Sequence, residues 1–180
     1  MKKAINIGLV ALMLFAVSAQ AQKSVKIGNQ VWMSENLNDA SKGGKCYENK
    51  PESCKKYGRL YTWGEAMKAC PSGWHLPSDA EWEALVSFAG GKNAAGRKLK
   101  AKNGWEGGGG SDEYGFSALP GGSCGPDGSF YFVGNFGNWW SAAEYDTGSA
   151  YFWYMSHSDS KVVKVSYGRS GLLSVRCVKD

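Results

Sequence analysis

The sequence has few residues of the kinds that metal sites, membrane spans and nucleic-acid surfaces require. It contains two histidines and five cysteines among 180 residues, and no C-x-x-C pair occurs, so the spacing typical of metal sites is absent. After residue 21 no apolar run approaches the length of a membrane span. The formal net charge is +5, with the basic residues scattered rather than concentrated. We therefore expect no metal, no cofactor, no nucleic-acid partner and no membrane span in the mature protein.

The N-terminus has the pattern of a secretory signal peptide. Two lysines, Lys2 and Lys3, precede a short apolar stretch over residues 5–17, and Ala19-Gln20-Ala21 supplies a small-x-small cleavage site. An uncleaved anchor is the alternative, but the apolar stretch is short for a span. We expect residues 1–21 to be a signal peptide. Residues 22–180 are then one domain, exported to the periplasm, the cell surface or the medium.

Export to an oxidising compartment makes disulfides the expected state of the five cysteines. Cys46 and Cys54 bracket a short loop that a local bridge closes easily. Cys70 ends a helix-like segment and Cys177 lies in the last strand-like segment, so a bridge between them would tie an early element to the chain end. Cys124, in a glycine-rich loop, is then the predicted free thiol. It would either stay reduced or form an intermolecular disulfide.

The first half of the domain is predicted to be mainly helical. The clearest signal is a capping box, Ser78 with Glu81, followed by apolar residues on one face, which predicts a helix over residues 79–89. Other segments are assigned from periodicity and turn residues: a strand over 25–33 with a turn at Gly28-Asn29, a loop over 36–57, and helices over 60–70 and 94–100.

The second half is rich in glycine and aromatic residues and has few strong helix formers. Short apolar runs separated by turn residues predict strands over 116–119, 129–133, 138–142, 150–156, 161–167 and 172–178. The predicted fold class is therefore α+β, with helices first and an antiparallel sheet afterwards.

Five ordered motifs resemble those of a known family of exported bacterial proteins. They are YGRLYTW at 57–63, CPSGWHLP at 70–77, YGFSALPGG at 114–122, WWS at 139–141 and SVRC at 174–177. Together they resemble the Fibrobacter succinogenes major paralogous domain family. The family has no established activity, so the resemblance implies location and fold more than chemistry.

A more distant likeness concerns residues 75–83, HLPSDAEWE, which resemble a segment of formylglycine-generating enzymes. Those enzymes share the C-type lectin-like fold, which implies a Cys70–Cys177 bridge and a ligand-carrying loop region over residues 104–137. The late pair of cysteines with which those enzymes hold copper has no counterpart here. The Glu-Pro-Asn or Gln-Pro-Asp loop and the Trp-Asn-Asp triplet of calcium lectins are also missing.

Aromatic residues in the predicted strands are the candidate ligand-binding residues. Side chains alternate between the two faces of a strand, so Trp139 and Trp140 should not both be core, and the run over 150–155 places aromatics on both faces. The set outside the core is either covered by the glycine-rich loop or exposed as a stacking platform. The predicted ligand-binding residues are Trp140, Glu144, Tyr151 and Trp153.

The sequence thus favours a non-catalytic binding module at the cell envelope or outside the cell, with a glycan or a protein as ligand. One alternative is a structural envelope protein that assembles through its surface and Cys124. The other is an enzyme of formylglycine-generating ancestry, which would need a metal or a redox-active cysteine pair.

Overall fold

A computed structural model describes residues 22–180 of the chain, and the predicted signal peptide lies outside this range. Its strands are β1 (Ser24–Ile27), β2 (Gln30–Met33), β3 (Leu60–Tyr61), β4 (Trp74–His75), β5 (Ser123–Cys124), β6 (Phe130–Tyr131), β7 (Phe136–Glu144), β8 (Ser149–Ser156), β9 (Val162–Gly168), β10 (Leu173–Ser174) and β11 (Val178–Lys179). Its α-helices are α1 (Pro51–Tyr57), α2 (Trp63–Ala69), α3 (Asp79–Phe88) and α4 (Ala95–Leu99), with 3-10 turns at Ala40–Lys42 and Tyr47–Asn49.

The strands form a central sheet, a terminal sheet and a hairpin. The central sheet has the order β3-β10-β7-β8-β9, and all its pairs are antiparallel except β10 with β7. The terminal sheet, β1-β2-β11-β4, pairs the first strands with the last one, with Val178 opposite Trp32. Strands β5 and β6 form the hairpin. The α+β class predicted from the sequence is confirmed.

Both faces of the central sheet are covered by core residues. Trp139 and Trp153 lie opposite each other on β7 and β8 and face α3, where Trp82 stacks on Trp153 with ring centroids 6.1 Å apart. Trp140 points to the other face and packs in a second cluster. The prediction that Trp139 and Trp140 cannot both be core is therefore wrong, because each face of the regular strand has a core of its own.

Local capping explains where two helices begin. Capping boxes start α2 at Thr62 with Glu65 and α3 at Ser78 with Glu81. Helix α3 matches the prediction from the sequence within one residue. The segment 60–70, however, is helical only from Trp63, because Leu60 and Tyr61 pair with β10 instead.

Three other segments also differ from the prediction. The expected loop over 36–57 ends in α1, which begins at Pro51, a residue suited to the first turn of a helix. Residues 116–119 form no strand apart from a single bridge between Ala118 and Lys100. The expected strand over 172–178 is divided into β10 and β11, which join different sheets.

The cysteines pair as the sequence indicated. The S–S distances are 2.03 Å for Cys46–Cys54 and 2.07 Å for Cys70–Cys177. Cys124 is free but fully buried, and burial raises the pKa of its thiol. Because the Cys124 sulfur is not accessible, it cannot form an intermolecular disulfide in this structure. The alternative in which the protein assembles through Cys124 is therefore wrong.

Candidate functional site

A groove of about 800 Å³ lies on the face of the central sheet opposite α3. The floor comes from β7, β8 and β9, and the β5–β6 hairpin with the segment after it forms a wall. The aromatic lining residues are Tyr131, Phe132, Phe136, Phe152, Tyr154 and Tyr167. The others are Ser123, Gly125, Pro126, Asp127, Asn138 and Leu173. We call this surface the aromatic groove.

Strand alternation places the floor residues. On β8, Phe152 and Tyr154 point away from α3 because Trp153 between them points toward it. The neighbouring strand brings Asn138 opposite Tyr154. The floor therefore follows from the same alternation that builds the buried core on the other face.

The six rings form a continuous series along the groove. Ring centroids of Tyr131 and Phe132 lie 5.9 Å apart, and those of Phe132 and Phe136 lie 5.5 Å apart. Those of Phe136 and Tyr154 lie 5.8 Å apart. The series continues from Tyr154 to Phe152 at 6.2 Å and from Phe152 to Tyr167 at 6.0 Å. These separations are within the range of favourable aromatic contacts, so the rings support one another as a preformed surface.

Phe132 at the rim is held in an unusual conformation. Its φ angle is +62°, in the left-handed region that favours glycine, yet its side chain is 61% exposed. Its carbonyl oxygen accepts hydrogen bonds from the backbone N–H groups of Asn135 and Phe136, both at 3.0 Å. A strained backbone that presents a large apolar ring to solvent is a feature typical of ligand sites.

Polar groups lie between the rings and at one end of the groove. Asn138 donates through Nδ2 to the carbonyl of Gly122 at 3.0 Å, which fixes the amide in the floor. At the wall, Asp127 accepts from the backbone N–H of Ser129 at 3.1 Å and from its hydroxyl at 2.8 Å. These hydrogen bonds, the backbone one first, lower the pKa of Asp127. The groove thus carries one carboxylate, and no lysine or arginine lines it.

A profile of the Fibrobacter succinogenes major domain matches residues 25–179, almost the whole described range. The chain belongs to the Fibrobacter succinogenes major domain family. No curated protein and no solved structure matches it.

The motifs that carry the resemblance to this family lie largely in the interior. Trp139, Trp140 and Ser141 of the fourth motif are fully buried, and so are all four residues of SVRC at 174–177. The aromatic residues of the groove lie outside the five motifs. In this family domain the motifs describe the scaffold, whereas the groove is formed by residues between them.

Two of the predicted ligand-binding residues are core residues. Trp140 and Trp153 have no exposed surface, and neither lines the groove. The indole N–H of Trp140 donates to the carbonyl of Tyr61 at 2.8 Å, and that of Trp153 donates to Asp79 at 3.1 Å. The prediction that these two tryptophans belong to an exposed binding platform is therefore wrong. Trp140 instead lies behind the groove, 6.3 Å from the ring of Tyr167.

The other two predicted residues, Glu144 and Tyr151, also lie outside the aromatic groove. Glu144 forms an ion pair of 3.0 Å with Arg169, whose guanidinium lies over the ring of Trp63 at 4.4 Å. Tyr151 contacts Tyr145 edge to face at 5.3 Å. Both residues have intramolecular partners that explain their positions.

The aromatic residues of the groove are not among the predicted ligand-binding residues, but the sequence contains a pattern that points to them. Alternation over 150–155 separates Phe152 and Tyr154 from Trp153, so one of the two sets had to lie on the side away from α3. The glycine-rich segment before Phe132 and Phe136 supplies the wall. What the sequence does not show is which face the helix covers.

His75 is held by two carboxylates and has no nucleophile beside it. Its Nε2 lies 2.8 Å from Glu81 and its Nδ1 lies 2.6 Å from Asp180. Ser78 donates its hydroxyl to Glu81 rather than to the imidazole, so the order of contacts is not that of a nucleophilic triad. Partial burial lowers the pKa of His75, but the hydrogen bonds to Asp180 and Glu81 outweigh it and the pKa is raised.

Within residues 22–180, no group of three or more histidine, cysteine, aspartate or glutamate side chains is arranged to hold a metal ion. None of the helices in this described range is long and apolar enough to cross a membrane.

Proposed function

We propose that this family domain is an exported, non-catalytic binding module whose ligand is a glycan held in the aromatic groove. The observation that carries the proposal is the continuous series of six rings with polar groups between them. Two disulfides are compatible with export.

The groove suits a sugar because its apolar and polar groups alternate. A pyranose ring has an apolar C–H face, which packs on an aromatic ring, and hydroxyl groups around its edge, which need hydrogen-bond partners. Asn138, Tyr154 and Tyr167 offer such partners beside the rings. The volume of about 800 Å³ is within the range of preformed small-ligand sites.

We further propose that the domain has a C-type lectin-like architecture. The terminal sheet pairs β1 and β2 with β11, and Cys70–Cys177 ties the end of α2 to the segment before β11. The loop region over residues 104–137 supplies the wall of the groove, including Phe132. These features agree with what the resemblance implies for the fold.

Binding of the oxidised, exported protein to a panel of neutral oligosaccharides tests the proposal. We expect saturable binding by titration calorimetry that falls about tenfold or more in Phe132→Gly, because one aromatic contact is lost. Glycine adopts this φ without strain, which offsets part of the lost ring contacts, so the melting temperature of Phe132→Gly should stay close to that of the wild type.

Phe88→Ala is the matched control, since Phe88 is 53% exposed but lies at the end of α3, outside the groove. Its affinity should equal that of the wild type. Equal losses in both variants, or no binding to any glycan, would reject the groove as a glycan site and leave a protein ligand to be sought.

A further inference from the structure

We propose that the aromatic groove selects glycans that carry a protonated amine, that is, amino sugars without the N-acetyl group. This inference rests on the proposed glycan-binding role. The feature that carries it is a single carboxylate, Asp127, fixed beside aromatic rings in a groove that no cationic side chain lines.

The Asp127 carboxylate is fixed in position but can accept a further hydrogen bond. Oδ2 accepts from the hydroxyl of Ser129 at 2.8 Å and from that of Tyr131 at 3.4 Å, whereas Oδ1 accepts from the N–H of Ser129 alone. A carboxylate offers about four acceptor positions, so Oδ1 retains one for a ligand N–H. The turn therefore orients the carboxylate and leaves Oδ1 able to accept a hydrogen bond from a ligand.

Gly125 lets the backbone pass close to the carboxylate. A Cβ atom at this position would lie 2.6 Å from Asp127 Oδ1 and 3.3 Å from the ring of Tyr131. The first distance is too short for an unstrained contact, so a side chain here would displace the carboxylate from its place beside that ring. Glycine at position 125 therefore preserves the arrangement of Asp127 and Tyr131.

The surrounding rings add to the attraction for a cation. An ammonium group within about 6 Å of an aromatic face is stabilised by the ring quadrupole. Tyr131 contacts the carboxylate directly. Tyr167 lines the same groove and supplies a further aromatic ring.

The charge of the groove disfavours acidic sugars. The carboxylate of a uronic acid would meet Asp127 with no lysine or arginine in the lining to compensate. Burial raises the pKa of the Cys124 thiol and the charge of Lys45 opposes this effect, but Lys45 does not line the groove. Charge complementarity therefore points to a cationic ligand.

Titration calorimetry with three oligomers of equal length tests the inference: β-1,4-linked glucosamine, its N-acetylated counterpart, and a galacturonic acid oligomer. At low salt and mildly acidic pH, where the sugar amine is protonated and Asp127 is still ionised, we expect the glucosamine oligomer to bind about five- to tenfold more tightly than the N-acetylated one, as one charge pair near the surface implies. The acidic oligomer should bind most weakly. Asp127→Asn keeps an oxygen to accept from Ser129 and should remove the preference while retaining affinity for the N-acetylated oligomer.

Asp146→Asn is the matched control. Asp146 is also an exposed turn aspartate, which accepts from the N–H groups of Gly148 and Ser149, but it lies outside the groove. The preference of Asp146→Asn for the glucosamine oligomer over the N-acetylated one should equal that of the wild type. Equal binding of amino and N-acetylated oligomers by the wild type, or a preference that persists in Asp127→Asn, overturns the inference and leaves the glycan role standing. Failure of all three oligomers and of the neutral panel overturns both.

Discussion

Arg176 shows how one residue of a family motif stabilises the interior. It is fully buried, and its guanidinium donates to the side-chain oxygen of Asn36 at 2.7 Å and to the carbonyl of Phe116. The guanidinium also lies over the Phe116 ring at 4.3 Å. Burial lowers its pKa to about 9, so the group stays charged at neutral pH. Its charge is compensated by oxygen dipoles and a ring rather than by a carboxylate.

Replacing Arg176 by lysine should destabilise the protein strongly although the charge is retained. A lysine ammonium cannot bridge Asn36 and Phe116 with a planar fork, so at least one of these contacts is lost in the buried interior, although Trp139 still donates to Asn36 Oδ1. We expect a loss of about 2–4 kcal/mol in the free energy of unfolding, measured by urea denaturation. Lys164→Arg, at a half-exposed position, is the comparison and should change stability little. A loss below about 0.5 kcal/mol in Arg176→Lys would contradict the assigned role.

The tryptophans mark the limit of residue-scale prediction. Alternation correctly separated Trp139 from Trp140, but periodicity shows only that two residues face apart, not what covers each face. Trp140 is buried because Tyr61, Phe152 and Tyr167 pack around it, and two of these lie far away in sequence. The predicted ligand-binding residues therefore lie on two of the strands that line the groove, β7 and β8, but none of them is in its lining.

At the scale of elements, His75 links three of them. It lies on β4, its partner Glu81 lies in the first turn of α3, and Asp180 follows β11 at the chain end. Glu81 also completes the capping box with Ser78. The imidazole thus connects the start of the helix to the terminal sheet.

The contribution of His75 to stability should depend on pH. The pKa is raised above its ordinary value of 6.5 in the folded state. The extra stability is therefore fully present below pH 6.5 and is lost as the pH rises through the folded-state pKa. Because the ring is 42% exposed and solvent screens the pair, we expect about 1 kcal/mol or less.

Denaturant unfolding of wild type and His75→Gln at pH 6 and pH 9 measures this effect. The difference in unfolding free energy between the two proteins should be larger at pH 6. Asp180→Asn should weaken the pH dependence by removing one of the two carboxylates. A difference that is equal at both pH values, or larger at pH 9, would show that the raised pKa is not coupled to folding.

Elements with local signals were predictable and those with distant partners were not. The capping box placed α3 because its hydrogen bonds join residues three apart. Strands β4, β10 and β11 have only two residues each and exist because distant segments pair with them. No pattern within a few residues encodes such pairing, which explains why the sequence predicts a single strand over 172–178.

At the scale of the whole molecule, the terminal sheet and the long disulfide hold the scaffold that carries the groove. In the chain-entropy description, closing the loop of 107 residues between Cys70 and Cys177 contributes about 5 kcal/mol, and the loop of 8 between Cys46 and Cys54 about half of that. The long bridge fixes the segment between β10 and β11. Strand β10 pairs directly with β7, which forms the floor of the groove.

Amide NMR titration of the oxidised protein with the oligosaccharide that binds most tightly tests directly whether a ligand occupies the aromatic groove on the face of the central sheet opposite α3. We predict that the shifted signals cluster at the groove, around Phe132, Phe136 and Tyr154, while the signals of α3 stay unchanged. Shifts centred on Glu144 and Tyr151, or spread evenly over the molecule, would contradict the account.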